Sequence, residues 1–199
     1  MPTLVEADKI IVRVQGGPLR HVRSTLLCSG IAELRARGLL DTYLRHLPKQ
    51  AADILIPAVA GTWLPLEIGH AHYTACDSLG LNPEECAAIG GSSGTRLQQS
   101  LLQTFVRLAQ GAGASPLTLF PAYPRVYNRH FDGGCLAITR LGPKDVSLEL
   151  REFPFARYGY FRHGFRGMNA EGLKLFARTV YVRETSSSPS SIVLRISWV

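Results

Sequence analysis

The sequence predicts an α+β fold, in which an N-terminal helical bundle packs on a C-terminal antiparallel sheet of about four to five strands, with one long helix between two hairpins. Two observations support it. Apolar residues recur at helical spacing through most of the first 130 residues, and after residue 134 they alternate as in half-buried strands. The stretch from Tyr123 to Gly134 joins these two parts.

The whole chain is expected to form one domain, residues 1–199. Its 199 residues with 46% hydrophobic content suffice for one core without metal or disulfide support. Within it we expect a strand-bearing extension at 1–17, a helical part at 18–130 and a hairpin–helix–hairpin part at 134–199. No internal repeat or dividing linker is visible.

Strand periodicity comes first in the chain. Residues 9–15 alternate in the manner of a half-buried strand, which ends at Gly16. Residues 19–36 then predict a helix. The next helix shows an i, i+3, i+4, i+7 apolar stripe that ends at Pro48. This stripe consists of Leu40, Tyr43, Leu44 and Leu47.

Start and stop signals define the following helices. Pro48 opens a short helix that Pro57 closes, and another is expected from Pro65 to Gly80. Asn82, followed by Pro83 and by an acid at position 85, resembles a capping box and predicts a helix that continues to residue 108. Glycines between positions 90 and 94 allow a break in it. Ser115 and Pro116 start a further helix.

The C-terminal part predicts two hairpins around a helix. Residues 135–140 and 146–152 form the first, with the five-residue connection 141–145. Residues 155–178 predict a helix, and two strands follow it. The serine-rich stretch 185–191 between those strands is typical of an exposed loop.

Composition excludes several classes of function. The net charge of +7 comes from arginines dispersed along the chain, which indicates a solvated surface and disfavours nucleic-acid binding. No apolar run approaches the ~20 residues of a membrane span, and charged residues occupy the region where a signal peptide would be apolar, so we expect a cytoplasmic protein. Four cysteines without CxxC spacing predict neither a zinc site nor a redox dithiol.

Several spaced phrases carry a resemblance to a known family. They are Trp63-Leu-Pro-Leu66, Asn82-Pro-Glu-Glu-Cys-Ala87 with Gly90, Phe105-Val-Arg-Leu108, Pro124-Arg-Val-Tyr-Asn-Arg-His-Phe-Asp-Gly133, Leu141-Gly-Pro143 and Glu152-Phe-Pro154. From about residue 18 to 199 the chain resembles an uncharacterised family abundant as paralogues in myxobacteria. That family looks remotely related to the superfamily of haem nitric-oxide sensors, four-vinyl reductase domains and some trafficking-complex subunits.

The resemblance implies a fold that binds ligands or partners without turnover. Haem sensors of this superfamily carry an axial histidine on a helix and a Tyr-x-Ser-x-Arg clamp, but residues 95–110 contain no histidine and the clamp is absent. Four-vinyl reductase domains carry cysteines near their last strands, where this chain has serines at 185–191. We therefore expect no haem, no metal and no other cofactor.

Two sequence patterns resemble a catalytic site and a metal site, but each has a simpler structural interpretation. Gly90-Gly-Ser-Ser-Gly94 matches G-x-S-x-G, and Ser92, Asp132 or Asp145, and His163 follow in the order of an α/β-hydrolase triad. A nucleophile elbow needs a strand directly before the serine, whereas a helix is predicted there, so we interpret the glycines as the contact of two helices.

His70, His72 and Cys76 do not complete a metal site; we expect His70 in the core and His72 exposed.

Residues 151–166 contain six aromatic residues interleaved with four arginines and a histidine. Such a composition could stack on nucleic-acid bases. At helical spacing, however, Phe161, Phe165 and Met168 share one face, which favours a core or dimer face with the arginines outside.

The leading hypothesis is a non-enzymatic sensory or regulatory domain that binds a small apolar ligand or a protein partner as a homodimer. The predicted pocket residues are Trp63, Leu66, Phe105, Leu108, Phe120 and Tyr127, with the Tyr127 hydroxyl as polar handle. One alternative is a partner-binding adaptor without a pocket. A further alternative is a serine hydrolase that uses Ser92 and His163.

Overall fold

A computed structural model describes residues 10–99 and 115–199, with side chains for all of these except 96–99. The strands are β1 (Ile10–Gln15), β2 (His21–Arg23), β3 (Trp63–Pro65), β4 (Phe131–Asp132), β5 (Cys135–Gly142), β6 (Asp145–Arg151), β7 (Val180–Ser188) and β8 (Ser191–Trp198). The helices are α1 (Ser24–Ala36), α2 (Leu40–His46), α3 (Lys49–Leu55), α4 (Leu66–Asp77), α5 (Pro83–Gln99), α6 (Pro116–Leu119), α7 (Tyr123–His130) and α8 (Gly159–Leu173). Short 3₁₀ turns occupy Phe120–Ala122 and Pro154–Arg157.

The main sheet is antiparallel and has the strand order β1-β5-β6-β8-β7. Its register aligns apolar residues across the central strands: Ile138 pairs with Leu148, which pairs with Leu194. All three side chains are fully buried, so one face of this sheet forms a wall of the core. The predicted α+β class with an antiparallel sheet is confirmed.

The predicted N-terminal extension belongs to this sheet, because β1 pairs along β5. A second sheet of order β3-β2-β4 lies within the helical part and was not predicted. Its strands have two or three residues each, too few to show alternation. The description of the helical part as a bundle stays a prediction.

Several predicted boundaries were wrong. The first hairpin connection is two residues instead of five, because β5 and β6 extend into it, and pairing likewise carries β7 and β8 into the serine-rich stretch. The first helix begins at Ser24, since His21–Arg23 pairs in the small sheet. The helix predicted at 155–178 is a 3₁₀ turn followed by the shorter α8.

The capping box at the start of α5 is confirmed. The Asn82 side-chain oxygen accepts the Glu84 and Glu85 N–H groups at 3.0 and 2.9 Å, and the Glu85 carboxylate accepts the Asn82 N–H at 2.8 Å. These bonds satisfy donors that the first helical turn would otherwise leave free. The break that the glycines at 90–94 allowed does not occur, since α5 continues through them to Gln99.

The uninterrupted path of α5 has a packing reason, because its glycines lie against α8. A Cβ atom on Gly90 would overlap the backbone of Gly164, and one on Gly167 would overlap the carbonyl of Ala87. The two helices therefore touch backbone to backbone, which only glycine permits. The sequence interpretation of residues 90–94 as a helix–helix contact is confirmed.

We predict that Gly167→Ala destabilises the protein by about 3 kcal/mol, because the new methyl group meets a carbonyl that cannot move aside. Gly164→Ala is the matched control. Its Cβ would meet ordinary contacts at 3.7 Å from the Cys86 carbonyl oxygen and 3.8 Å from the Gly90 Cα. Since alanine favours helix, this variant should be as stable as the parent or slightly more stable.

Denaturant unfolding of both variants measures the difference. Equal losses of stability in the two variants would contradict the backbone contact that we describe.

Candidate functional site

The site is a gap in the core between α1, α4, α5 and α8, which we call the core cavity. Its volume is about 60 Å³. Its described lining is apolar and aromatic, apart from the polar atoms of four side chains on α4, α5 and α8. Apolar wall residues include Leu26, Ile89, Phe131, Phe161 and Phe165. Those that carry polar atoms are His72, Ser93 and the hydroxyl-bearing Tyr73 and Tyr160.

Local sequence places each polar group. Asp77, the last residue of α4, accepts the backbone N–H of Tyr160 at 2.7 Å and that of Gly159 at 3.2 Å. This carboxylate caps the first turn of α8 from a different helix. It thereby holds the start of α8, and with it Tyr160, against the end of α4.

His72 is buried, with 1% of its surface exposed, and is held on both sides. Its Nδ1 shares a hydrogen bond of 2.8 Å with the Tyr43 hydroxyl, and its Nε2 lies 3.7 Å from the Cys76 sulfur. Burial lowers the pKa of His72 to about 3, so the imidazole is neutral at pH 7. Burial also raises the pKa of Tyr43, which therefore stays protonated.

Tyr160 differs from its neighbours because its buried hydroxyl makes no hydrogen bond to an oxygen or nitrogen atom among the described residues. Its neighbouring polar group among them is the Cys76 thiol, which is a weak hydrogen-bond partner. Leaving a buried hydroxyl unsatisfied costs about 1–3 kcal/mol.

Gly30 on α1 leaves the space beside this hydroxyl open. A Cβ atom on Gly30 would lie 3.7 Å from the His72 Nε2 and 3.9 Å from the Tyr160 hydroxyl oxygen, both ordinary contact distances. The cavity thus has one polar end, formed by these two side chains. Ser93 is occupied elsewhere, because its hydroxyl and its carbonyl bond to Ser29.

The predicted pocket residues lie elsewhere. Trp63 is 38% exposed on β3, where the Arg23 guanidinium stacks over its ring at 4.2 Å. Leu66 is half-buried at the start of α4, and Phe120 is buried against Trp198. The Tyr127 hydroxyl donates to the Gly133 carbonyl at 2.8 Å and is not free.

None of these four residues lines the core cavity, and Phe105 and Leu108 lie outside the described residues. The structure instead brings together Gly30, His72 and Tyr160, which the sequence did not nominate. A glycine inside a helical pattern was the only available signal for Gly30. His72 was expected to be exposed and His70 to be buried; the structure buries His72 and leaves His70 half-exposed, bonded to Tyr158 at 2.9 Å.

The aromatic segment forms core, as its helical spacing indicated. Phe155, Phe161 and Phe165 are buried, while Arg151 and Arg157 are exposed. The Phe161 and Phe165 rings stack with centroids 5.6 Å apart.

The hydrolase arrangement is not formed. Ser92 lies in the middle of α5 instead of at a strand-to-helix turn. It borders a groove between α5, α8 and β7, whereas His163 lines a separate depression near the end of α4. Neither side chain takes part in a hydrogen bond within the described part of the chain, so no nucleophile–base pair exists there.

The groove beside Ser92 has a volume of about 650 Å³ and mixed polar and apolar walls. Arg166 crosses it to pair with Glu84 at 2.9 Å. Its described lining contains no histidine or cysteine. Within residues 10–99 and 115–199, no group of three or more histidine, cysteine or acidic side chains could hold a metal ion.

No protein-family model matches the chain, and no curated protein matches it. Solved structures do match. One is an oxygen-binding H-NOX domain related to soluble guanylate cyclases, in its oxygen complex, with a TM-score of 0.53 and 15% identity over 88% of this chain and 94% of that one. Another, from work on H-NOX activation, has a TM-score of 0.54 and 14% identity over 85% of this chain and 92% of that chain. A third, from work on porphyrin distortion and haem redox potential, has a TM-score of 0.57 and 16% identity over 88% of this chain and 99% of that chain.

The chain therefore has an H-NOX-like fold along most of its length. At this level of identity the likeness shows the fold alone, so the relation to haem nitric-oxide sensors and the link to the myxobacterial paralogues both stay predictions. No helix in the described residues is long and apolar enough to cross a membrane.

The core cavity does not fit haem. Cofactor pockets occupy about 300–1,000 Å³, several times the roughly 60 Å³ found here. All six histidines lie in the described part, and only His72 borders the cavity. Since both of its ring nitrogens already have partners, no imidazole is free to bind iron in this cavity.

We predict that His72 makes the protein less stable as the pH falls from about 6.5 towards 3. The unfolded histidine takes up a proton near pH 6.5, whereas the folded one resists protonation until about pH 3. The contribution of His72 to the free energy of unfolding is therefore fully present above the pKa of the unfolded histidine. It declines below that pKa, by at most ~1.4 kcal/mol per pH unit.

Denaturant unfolding between pH 7 and 4, compared with His72→Gln, isolates this contribution. The glutamine variant should lose less stability on acidification. Parallel pH profiles for the two proteins would show that His72 is not held neutral.

Proposed function

We propose that this chain is a non-enzymatic sensory or regulatory domain that binds a small apolar ligand in its core cavity. The apolar cavity with a polar end, inside an otherwise packed core, is the observation that carries the proposal. The H-NOX-like fold supports it, since one of the neighbours is an oxygen-binding domain.

Haem is not part of the proposal. The cavity is too small for a macrocycle, and His72 is already engaged. Catalysis is not part of it either, because Ser92 and His163 border different depressions. We place the protein in the cytoplasm, following its composition.

The simplest test is ligand-dependent stabilisation against a panel of neutral molecules with about two to ten heavy atoms. A ligand at 100 times its Kd stabilises the folded state by ~2.7 kcal/mol, because it binds the folded chain alone. For a protein of this size this raises the melting temperature by about 5–10 °C. We expect at least one small compound to do so.

A panel without any stabilising compound, together with a ligand-free species in native mass spectrometry, would favour the adaptor without a pocket. Labelling of Ser92 by a fluorophosphonate probe would contradict the non-enzymatic role. Stoichiometric haem uptake with a Soret band would contradict the haem-free site.

A homodimer is the proposed route by which ligand occupancy reaches other molecules. Residues 44–63 carry most of the exposed large apolar side chains of the helical part, which monomers seldom leave uncovered when they are contiguous. They are Leu44, Ile54, Ile56, Val59 and Trp63.

We predict that Ile56→Asp combined with Val59→Asp shifts the protein from dimer to monomer in analytical ultracentrifugation, because charges then replace an apolar contact. Leu175→Asp, at a side chain 53% exposed on another part of the surface, is the matched control and should leave the dimer intact. A parent protein that is monomeric at all concentrations would contradict the homodimer.

A further inference from the structure

The Tyr160 hydroxyl is an unusual group in this core. Its residue is 7% exposed, and among the described protein groups the hydroxyl has only the Cys76 thiol, a weak hydrogen-bond partner, beside it. Folded proteins satisfy nearly all buried polar side-chain atoms, so each exception requires an explanation. A bound molecule that accepts this hydrogen bond is one explanation, provided that space exists beside the hydroxyl.

The space exists because α1 carries a glycine at this point. The Cβ position of Gly30 is 3.9 Å from the Tyr160 hydroxyl oxygen, so the hydroxyl faces the region that a side chain on α1 would occupy. Gly30 and Tyr160 both line the core cavity. The hydroxyl is therefore directed into the cavity and not away from it.

The size of the cavity limits its occupant. On the same measure one water needs about 10–15 Å³, and a cavity of about 150 Å³ holds benzene. The roughly 60 Å³ found here suits about two or three heavy atoms.

The chemistry of the walls limits the occupant further. No described residue that lines the cavity carries a formal charge at pH 7, so an ion would lose its hydration without compensation. Water alone is a poor occupant, because each buried water needs two to four polar partners and the walls are mainly apolar. The remaining class is a neutral molecule with an apolar body and one polar atom.

We propose that the core cavity binds a neutral molecule of two or three heavy atoms, whose single hydrogen-bond acceptor takes the Tyr160 hydroxyl proton while its body contacts the apolar walls. The inference rests on the proposed sensory function and assigns its ligand class. Gly30 keeps the site open, and Tyr160 selects molecules that carry an acceptor.

Three probe molecules distinguish the effect of the cavity volume on binding from the effect of a hydrogen bond to Tyr160. Xenon reports the space alone, and acetonitrile and propyne have nearly the same shape but differ in the acceptor nitrogen. Methyl NMR signals of Ile89 and Met168, which line the cavity, report binding of each probe. In the parent protein we expect all three to bind, with acetonitrile favoured over propyne by about fivefold, the equivalent of one net hydrogen bond.

Two variants test the assigned residues. Tyr160→Phe should keep xenon binding and lose the preference for acetonitrile, and it should lose little stability, because the hydroxyl that it removes has only a thiol as partner. Gly30→Ala should fold normally, since its methyl group meets only ordinary contacts, and should weaken binding of all three probes at least tenfold.

A parent protein that binds none of the probes would overturn the proposal, and so would an acetonitrile preference that persists in Tyr160→Phe. Undiminished probe binding in Gly30→Ala would also overturn it. If compounds from the wider panel stabilise Gly30→Ala as much as the parent, the sensory function stands while this cavity is not its site.

Discussion

The direct backbone contact between α5 and α8 is the constraint on which the rest of the structure depends. A Cβ atom on Gly90 would overlap the backbone of Gly164, and one on Gly167 would overlap that of Ala87. Because the helices approach so closely, the aromatic face of α8 enters the core. Phe161 and Phe165 then lie on the same side as the rings that α4 contributes, such as Tyr73, whose centroid is 5.3 Å from that of Phe161.

A glycine on α1 explains why the core retains a cavity. Aromatic side chains fill a core efficiently where they can interlock, but rigid rings do not adapt to a space next to a helix without a side chain. Gly30 provides such a space on α1, opposite His72 and Tyr160. The cavity that remains in this H-NOX-like fold therefore has a volume far below that of a macrocycle.

Local features of this fold were readable from the sequence. The capping box at Asn82 and the first hairpin depend on residues close together in the chain, so their signals are local. The aromatic face of α8 was also predictable, because its helical spacing separates Phe161 and Phe165 from the arginines. The predicted boundaries failed where pairing with distant residues decided them, as for His21–Arg23 in the small sheet.

The site itself could not be predicted, for a physical reason. On α4 the buried residues include Gly69, His72, Tyr73 and Cys76, whereas the sequence pattern placed His70 on the stripe of Leu66 and Tyr73. Such stripes overlap when apolar residues surround a helix, and only packing against other helices chooses between them. A cavity is harder still, because Gly30, His72 and Tyr160 come from three helices far apart in sequence.

Native-state hydrogen exchange of α5 and α8 tests the central claim most directly. If the glycine contact supports the core, amides on both sides of it, at residues 87–94 and 164–168, exchange only through global unfolding, with the same free energy as the centre of β6. Exchange of either helix through local opening, at a clearly lower free energy than β6, would contradict this account.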